Sequence, residues 1–275
     1  MKTSEFEWHT SDGLKIFARE WRPEQVKAVV CLVHGFGEHC GRYNHLASHL
    51  ETEGYAMLSH DLRGHGRSEG QRGHTTSYEA LMEDIDHITG EASKRFPGLP
   101  VFLYGHSMGG NLVLNYALRR KPGLNGVIAT GPWLKLTQHV PAVLVFIGKL
   151  IKKLSPASSR SSGLDARGLS HDPEVVRAYQ SDPLVNGMIS YGMLFSIVDS
   201  GLWALDHAKE FKLPLLIMHG GADPITLPQA SMQFAENVRG DCTIKIWDGL
   251  YHEIHNEPEK NEIFRFTTDW LNSHI

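Results

Sequence analysis

Short, wholly apolar runs separated by helix-length stretches constrain this 275-residue chain most. Lys27 to Val33 reads KAVVCLV, continuous as a strand buried on both faces should be. Tyr55–Ser59, Val101–Tyr104, Gly126–Thr130, Leu213–Met218 and Thr243–Trp247 repeat the pattern. Between them, helical spacing predicts helices near Tyr43–Glu53, over Ser77–Phe96 with Ser77 as N-cap, and from Ser107 to Arg120. A last helix is predicted from Pro258 as its first residue, through Ile263, Phe266, Trp270 and Leu271. The N-terminal alternation of Phe6 and Trp8 with Leu14, Ile16 and Ala18, about a Ser-Asp-Gly turn, reads as a hairpin. Such alternation predicts an α/β fold, a mostly parallel central sheet with helices on both faces. Pro132 to Leu205 breaks it, with an apolar segment, a Ser-rich piece and helical fragments. The predicted division is therefore a core of residues 1–131 and 206–275 with a helical cap inserted at 132–205.

Composition narrows the function classes. A net charge of −4 gives no electrostatic footprint for nucleic acid. Three cysteines, Cys31, Cys40 and Cys242, are too few for a disulfide framework and lack C-x-x-C spacing. The histidines lack metalloprotease-type spacing, so no metal is expected. The first residues hold no apolar signal core, and no apolar stretch approaches the roughly 20 residues of a membrane span. A cytoplasmic location, with peripheral membrane contact, is the expectation.

Gly105-His106-Ser107-Met108-Gly109 has the form G-x-S-x-G, placed after one predicted strand and opening a helix. On so tight a turn a serine hydroxyl stands exposed above the carboxyl edge of the sheet. A serine nucleophile needs a base, and the base an orienting acid, in the chain order Ser, acid, His. Asp223 and His252 each follow their own strand and fit that order. His255 is a rival base, while Asp199, Asp206 and Asp248 are rival acids. His219 reads as a structural histidine. Two backbone N–H groups must stabilise the oxyanion: Met108, after the nucleophile, and Phe36 in the His34-Gly35-Phe36-Gly37 loop. The dense segment from Asp61 to Ser68 reads as a structural loop rather than an anion site.

Four stretches, HGFGEHCGRY (34–43), DLRGHGRSEGQRG (61–73), GHSMGG (105–110) and YHEIHNEP (251–258), resemble α/β-hydrolases of the monoacylglycerol lipase and lysophospholipase group, serine aminopeptidase S33-like. A fifth, YQSDPLV (179–185), falls in the cap. The resemblance implies an α/β-hydrolase fold, the triad Ser107, Asp223 and His252, and oxyanion donors at Phe36 and Met108. It also implies that Glu38, Arg42, Tyr179 and His255 line the polar, glycerol-holding end of the pocket. Two departures stand out: mammalian members carry a small residue where Phe36 stands, and Ser is common at Cys40.

The expected activity is hydrolysis of monoacylglycerols to fatty acid and glycerol through an acyl-enzyme, with no cofactor. A lysophospholipase or broad short-chain carboxylesterase is the alternative, and a non-catalytic binding protein the alternative of another class. Val143, Leu144, Phe146, Ile147, Leu150 and Ile151, flanked by Lys149, Lys152 and Lys153, suggest a cap helix that touches a membrane or micelle surface.

Overall fold

A computed structural model describes residues 2–138 and 140–275. Among them the main sheet has eight strands: β1 (Lys2–His9), β2 (Lys15–Arg22), β3 (Ala28–Val33), β4 (Tyr55–His60), β5 (Val101–His106), β6 (Gly126–Thr130), β9 (Leu215–Gly220) and β10 (Cys242–Trp247). Their spatial order is β1-β2-β4-β3-β5-β6-β9-β10. Both pairings of β2, to β1 and to β4, are antiparallel, and every other pairing is parallel. The expected mostly parallel sheet is therefore present. Strands β3 to β6 and β9 are buried along their whole length, which is why they read as unbroken apolar runs.

Helices cover both faces of the sheet: α1 (Asn44–Thr52), α2 (Tyr78–Arg95), α3 (Met108–Arg120), α7 (Pro228–Asn237) and α8 (Lys260–Asn272). Ser77 caps α2 as expected, its hydroxyl accepting from the Ala80 N–H at 3.0 Å. The last helix begins two residues later than predicted. Pro258 lies in a turn closed by the Lys260 N–H on the Glu257 carbonyl, 3.1 Å, so it precedes the helix rather than opening it. Glu257 itself is extended, as the residue before a proline prefers.

Between β6 and β9 the chain adds α4 (Ala142–Leu154), α5 (Pro173–Ser181) and α6 (Tyr191–His207), with a small hairpin of β7 (Ser159–Ser161) and β8 (Met188–Ser190). The expected cap boundary at residue 205 cuts through this packing. Helix α6 lies on α3, where the Asn111 and Asn115 side-chain amides donate to the Ile197 and Ser200 carbonyls, each at 3.1 Å. Helix α6 thus belongs to the layer over the sheet. Helix α4 lies outside it and buries only Gly148, where an added Cβ would stand 2.7 Å from the Phe195 ring.

Candidate active site

Ser107 sits between β5 and α3 with φ 54° and ψ −114°, a strained backbone for a residue with a side chain. Gly105 and Gly109 make this turn possible. A Cβ on Gly105 would lie 2.3 Å from the Gly109 carbonyl oxygen, and one on Gly109 2.0 Å from the Val33 oxygen. The turn is pinned by the Ser107 N–H donating to Thr130 and by the Ser107 carbonyl accepting from Trp133, both at 2.9 Å.

The loop after β3 crosses directly over this serine, since a Cβ at Gly35 would stand 3.2 Å from Ser107 Cβ. Among the described residues, neither the Phe36 nor the Met108 backbone N–H has a protein acceptor. Glu38 braces the loop: its Oε1 accepts from the Gly35 N–H at 2.6 Å and from the Tyr43 hydroxyl at 2.7 Å. Its Oε2 pairs with Arg42 at 2.6 Å, and Arg42 forks onto both oxygens of Glu253 at 2.6 and 2.7 Å. Burial and the nearby Glu253 push the Glu38 carboxyl up against the pull of Arg42. For Glu253, burial is outweighed by the Arg42 charge and hydrogen bonds, which hold its carboxyl well down.

Asp223 lies in the loop after β9 and His252 in the loop after β10. His252 Nδ1 donates to Asp223 Oδ2 at 2.7 Å. Asp223 Oδ1 accepts the Ile225 and Thr226 N–H groups at 2.7 and 3.0 Å, an Asx-type turn that orients the carboxylate. Burial raises Asp223, but the charges and hydrogen bonds of His252 and His219 outweigh it, leaving the carboxyl far below its ordinary range. Burial lowers His252, and Asp223 outweighs it in the other direction, so the imidazole sits above its ordinary value. The loop of His252 is clamped from the cap side. The His252 and Glu253 N–H groups donate to the Gly168 and Leu169 carbonyls, and the fully buried Glu257 accepts from the Tyr251 and His171 N–H groups.

Ser107, His252, Phe36, Glu38, Tyr179 and Glu253 all line one cavity of about 820 Å³, together with Trp133, Leu136, Leu169, Ile189, Leu194 and Ile225. The His252 ring is bonded to Asp223, with no hydrogen bond from it to Ser107. Two residues expected at the polar end do not reach the cavity lining. Arg42 stands behind Glu38, with its guanidinium 4.9 Å over the Tyr179 ring. His255 is fully buried, stacked on Tyr43 at 4.8 Å, and neither ring nitrogen has a partner among the described residues. Burial drives its imidazole down to about 3.

The rival acids lie elsewhere. Asp248 is exposed in the turn after β10, and Asp206 is exposed at the end of α6. Asp199 pairs with Lys149 and Lys152 on the surface. The Asp61 segment is a structural loop as expected: its carboxylate accepts the Cys40 and Arg67 N–H groups, each at 2.8 Å, while buried Arg63 pairs with Asp84. Sequence reasoning missed Thr226 and Glu253. The three-residue step from Asp223 to Thr226 carried an Asx-turn signal, whereas Glu253 meets a partner 211 positions away and had none. Among the described residues, no cluster of three or more His, Cys, Asp or Glu side chains could hold a metal ion.

Residues 24–259 match the family described as serine aminopeptidase, S33. The chain belongs to this family. S33 relatives share nearly its whole length. A monoacylglycerol lipase of Mycolicibacterium smegmatis is 35% identical over 96% of this chain and 95% of its own length. An uncharacterized abhydrolase domain-containing protein of Dictyostelium discoideum is 39% identical over 97% of this chain, which spans only 28% of that protein. The crystal structure of a Paleococcus ferrophilus monoacylglycerol lipase superimposes with a TM-score of 0.85 at 37% identity, covering 100% of both chains. This S33 chain accordingly has the α/β-hydrolase fold.

Proposed function

We propose that this chain is a serine hydrolase that cleaves the ester bond of monoacylglycerols to fatty acid and glycerol. One observation carries the reading: the hydrogen-bonded Asp223–His252 pair and the strained Ser107 converge on one largely apolar cavity beneath two unpaired backbone N–H groups. The lipase relatives at 35% and 37% identity support the substrate class. His252 takes the Ser107 proton as Oγ attacks the ester carbonyl. The Phe36 and Met108 N–H groups stabilise the oxyanion. His252 then protonates the leaving glycerol, and later deprotonates the water that releases the fatty acid. Asp223 fixes the imidazole tautomer and stabilises the imidazolium. No step calls for a cofactor.

Glu38 and Tyr179 are among the polar groups at the cavity wall, and they meet the glycerol end of the substrate. Arg42 acts through Glu38. Residues 142–190 form the cap, and α4 lies on the lipid surface from which substrate comes. Its Val143, Phe146 and Leu154 side chains are 62%, 69% and 76% exposed, with Lys152 and Lys153 in its last turn. No helix among the described residues is long and apolar enough to cross a membrane.

The test is a matched panel of monoacylglycerol, diacylglycerol, lysophosphatidylcholine and a short nitrophenyl ester, each with a Ser107→Ala control. Preference for monoacylglycerol is the expected result. Preference for lysophosphatidylcholine makes the chain a lysophospholipase, and preference for the short ester makes it a general carboxylesterase. No Ser107-dependent turnover of any of them overturns the enzyme reading.

A further inference from the structure

Asp223 Oδ2 holds more than the triad histidine. The Nε2 of His219, a fully buried residue near the end of β9, lies 3.0 Å from that same oxygen. It also lies 3.2 Å from the Thr226 carbonyl oxygen. These two oxygens can only accept, and the Thr226 hydroxyl, 3.3 Å away, has nearer acceptors in Asp223 Oδ2 and the Gly131 carbonyl, so Nε2 carries a proton and donates. The other ring nitrogen, Nδ1, lies 2.8 Å from the hydroxyl of Ser231 on α7. In the neutral ring Nδ1 is an acceptor, and the Ser231 hydroxyl donates to it. A continuous chain thus runs from α7 through His219 and Asp223 to His252. His219 is absent from the lining of the catalytic cavity, so it meets no substrate.

We propose that His219 is a positioning residue for the acid of the triad, its Nε2–H occupying a lone pair of Asp223 Oδ2 beside the one used by His252. The inference rests on the triad reading above. The contact does two things. It fixes the carboxylate plane against His252 Nδ1, and it spreads the carboxylate charge over a further donor beside His252 and the Thr226 hydroxyl, which lies 2.8 Å from the same oxygen. Without that donor, Oδ2 would stabilise the His252 imidazolium more strongly.

His252 is faced by Asp223 and by His106, whose ring centroid is 4.8 Å away, and it feels Glu253, Glu38 and His255. All of these remain in a His219 variant, so a change in the titration of His252 isolates the contact.

The experiment measures kcat and KM against pH for the full chain on a water-soluble nitrophenyl ester, with thermal melting as the check on folding. His219→Leu removes the donor. Its kcat is expected to fall about tenfold with KM nearly unchanged, and the acid limb of kcat/KM to move up by about half a pH unit. His219→Gln restores a donor and should return the limb to its original pH, with kcat within about threefold of the parent. A folded His219→Leu whose limb stays put or moves down overturns the proposal, as does a Gln variant that fails to restore it. If the Leu variant does not fold, His219→Asn, whose shorter side chain stays near Ser231 but does not reach Asp223, takes its place under the same criteria: a raised limb supports the role, and a limb that stays put or moves down overturns it. Ser107→Ala in the same assay separates the two levels. Retained turnover there defeats the triad reading, whereas a Ser107-dependent reaction with an unmoved limb defeats only the role of His219.

Discussion

The corner holding Asp223 and His252 and the helix α4 are built on opposite terms. Asp223 is 4% exposed and its two oxygens take hydrogen bonds from two backbone N–H groups, two histidines and the Thr226 hydroxyl. Helix α4 buries one glycine and leaves a row of large apolar side chains in solvent. A buried polar group left unpaired is costly, so the first region tolerates almost no rearrangement. On the proposed reading a lipid surface covers that apolar area, so the second region needs no such closed network of partners. The difference teaches that geometry is held tight where protons move and left open where substrate arrives.

The most severe way to break this contrast is Ser107→Ala. It should lower kcat by ~10⁵ while the melting temperature stays near that of the parent. Asp223→Asn comes next, with a fall of ~10³ to 10⁴, because the amide supports the wrong histidine tautomer. Asp248→Asn, at the exposed turn, should stay within about twofold, and a reversal of these two results would move the acid to Asp248.

Changing pH probes the same corner without mutation. Because the His252 imidazole is held above its ordinary value, kcat/KM should fall about tenfold per unit once pH drops below that raised value. A profile flat down to pH 5 would contradict the base assignment.

Helix α4 is tested by the double variant Phe146→Ser, Leu154→Ser. Hydrolysis of monoacylglycerol in vesicles should drop about five- to tenfold, with the rate on a soluble short ester unchanged. Equal losses on both substrates would instead place α4 in the packing of the cavity.

The smallest effect sharpens the comparison within one loop. His255 lies three residues from His252, yet among the described residues neither of its buried ring nitrogens has a hydrogen-bond partner. His255→Phe keeps the stacking on Tyr43 and removes two unsatisfied nitrogens. It should leave turnover within about threefold and raise stability by about 1 kcal/mol, read by denaturant titration. A large loss of activity would show that those nitrogens serve the reaction.

Much of this was legible before any coordinates. The unbroken runs Ala28–Val33 and Gly126–Thr130 read as strands buried on both faces, and the glycines around Ser107 as making room for a strained turn. The order Ser107, Asp223, His252 followed from each residue standing after its own strand. The start of α8 was misread because Pro258 satisfies a local rule at helix starts, while tertiary contacts to Glu257 hold the preceding turn. The apolar residues of α6 have the same periodicity whether they face a cap or α3, so the packing of α6 on α3 is not visible in the sequence.

The sequence alone determined the strand–helix alternation, the sharp turn at Ser107 and the order of the three residues after their strands, because backbone sterics and hydrophobic period act over a few neighbouring residues. Only the tertiary structure decided which side chains share Asp223, that Arg42 reaches Glu253 rather than the cavity, and that His255 packs behind it. Those choices depend on groups as far as 211 positions apart, brought together by burial and by the need of every buried polar atom for a partner.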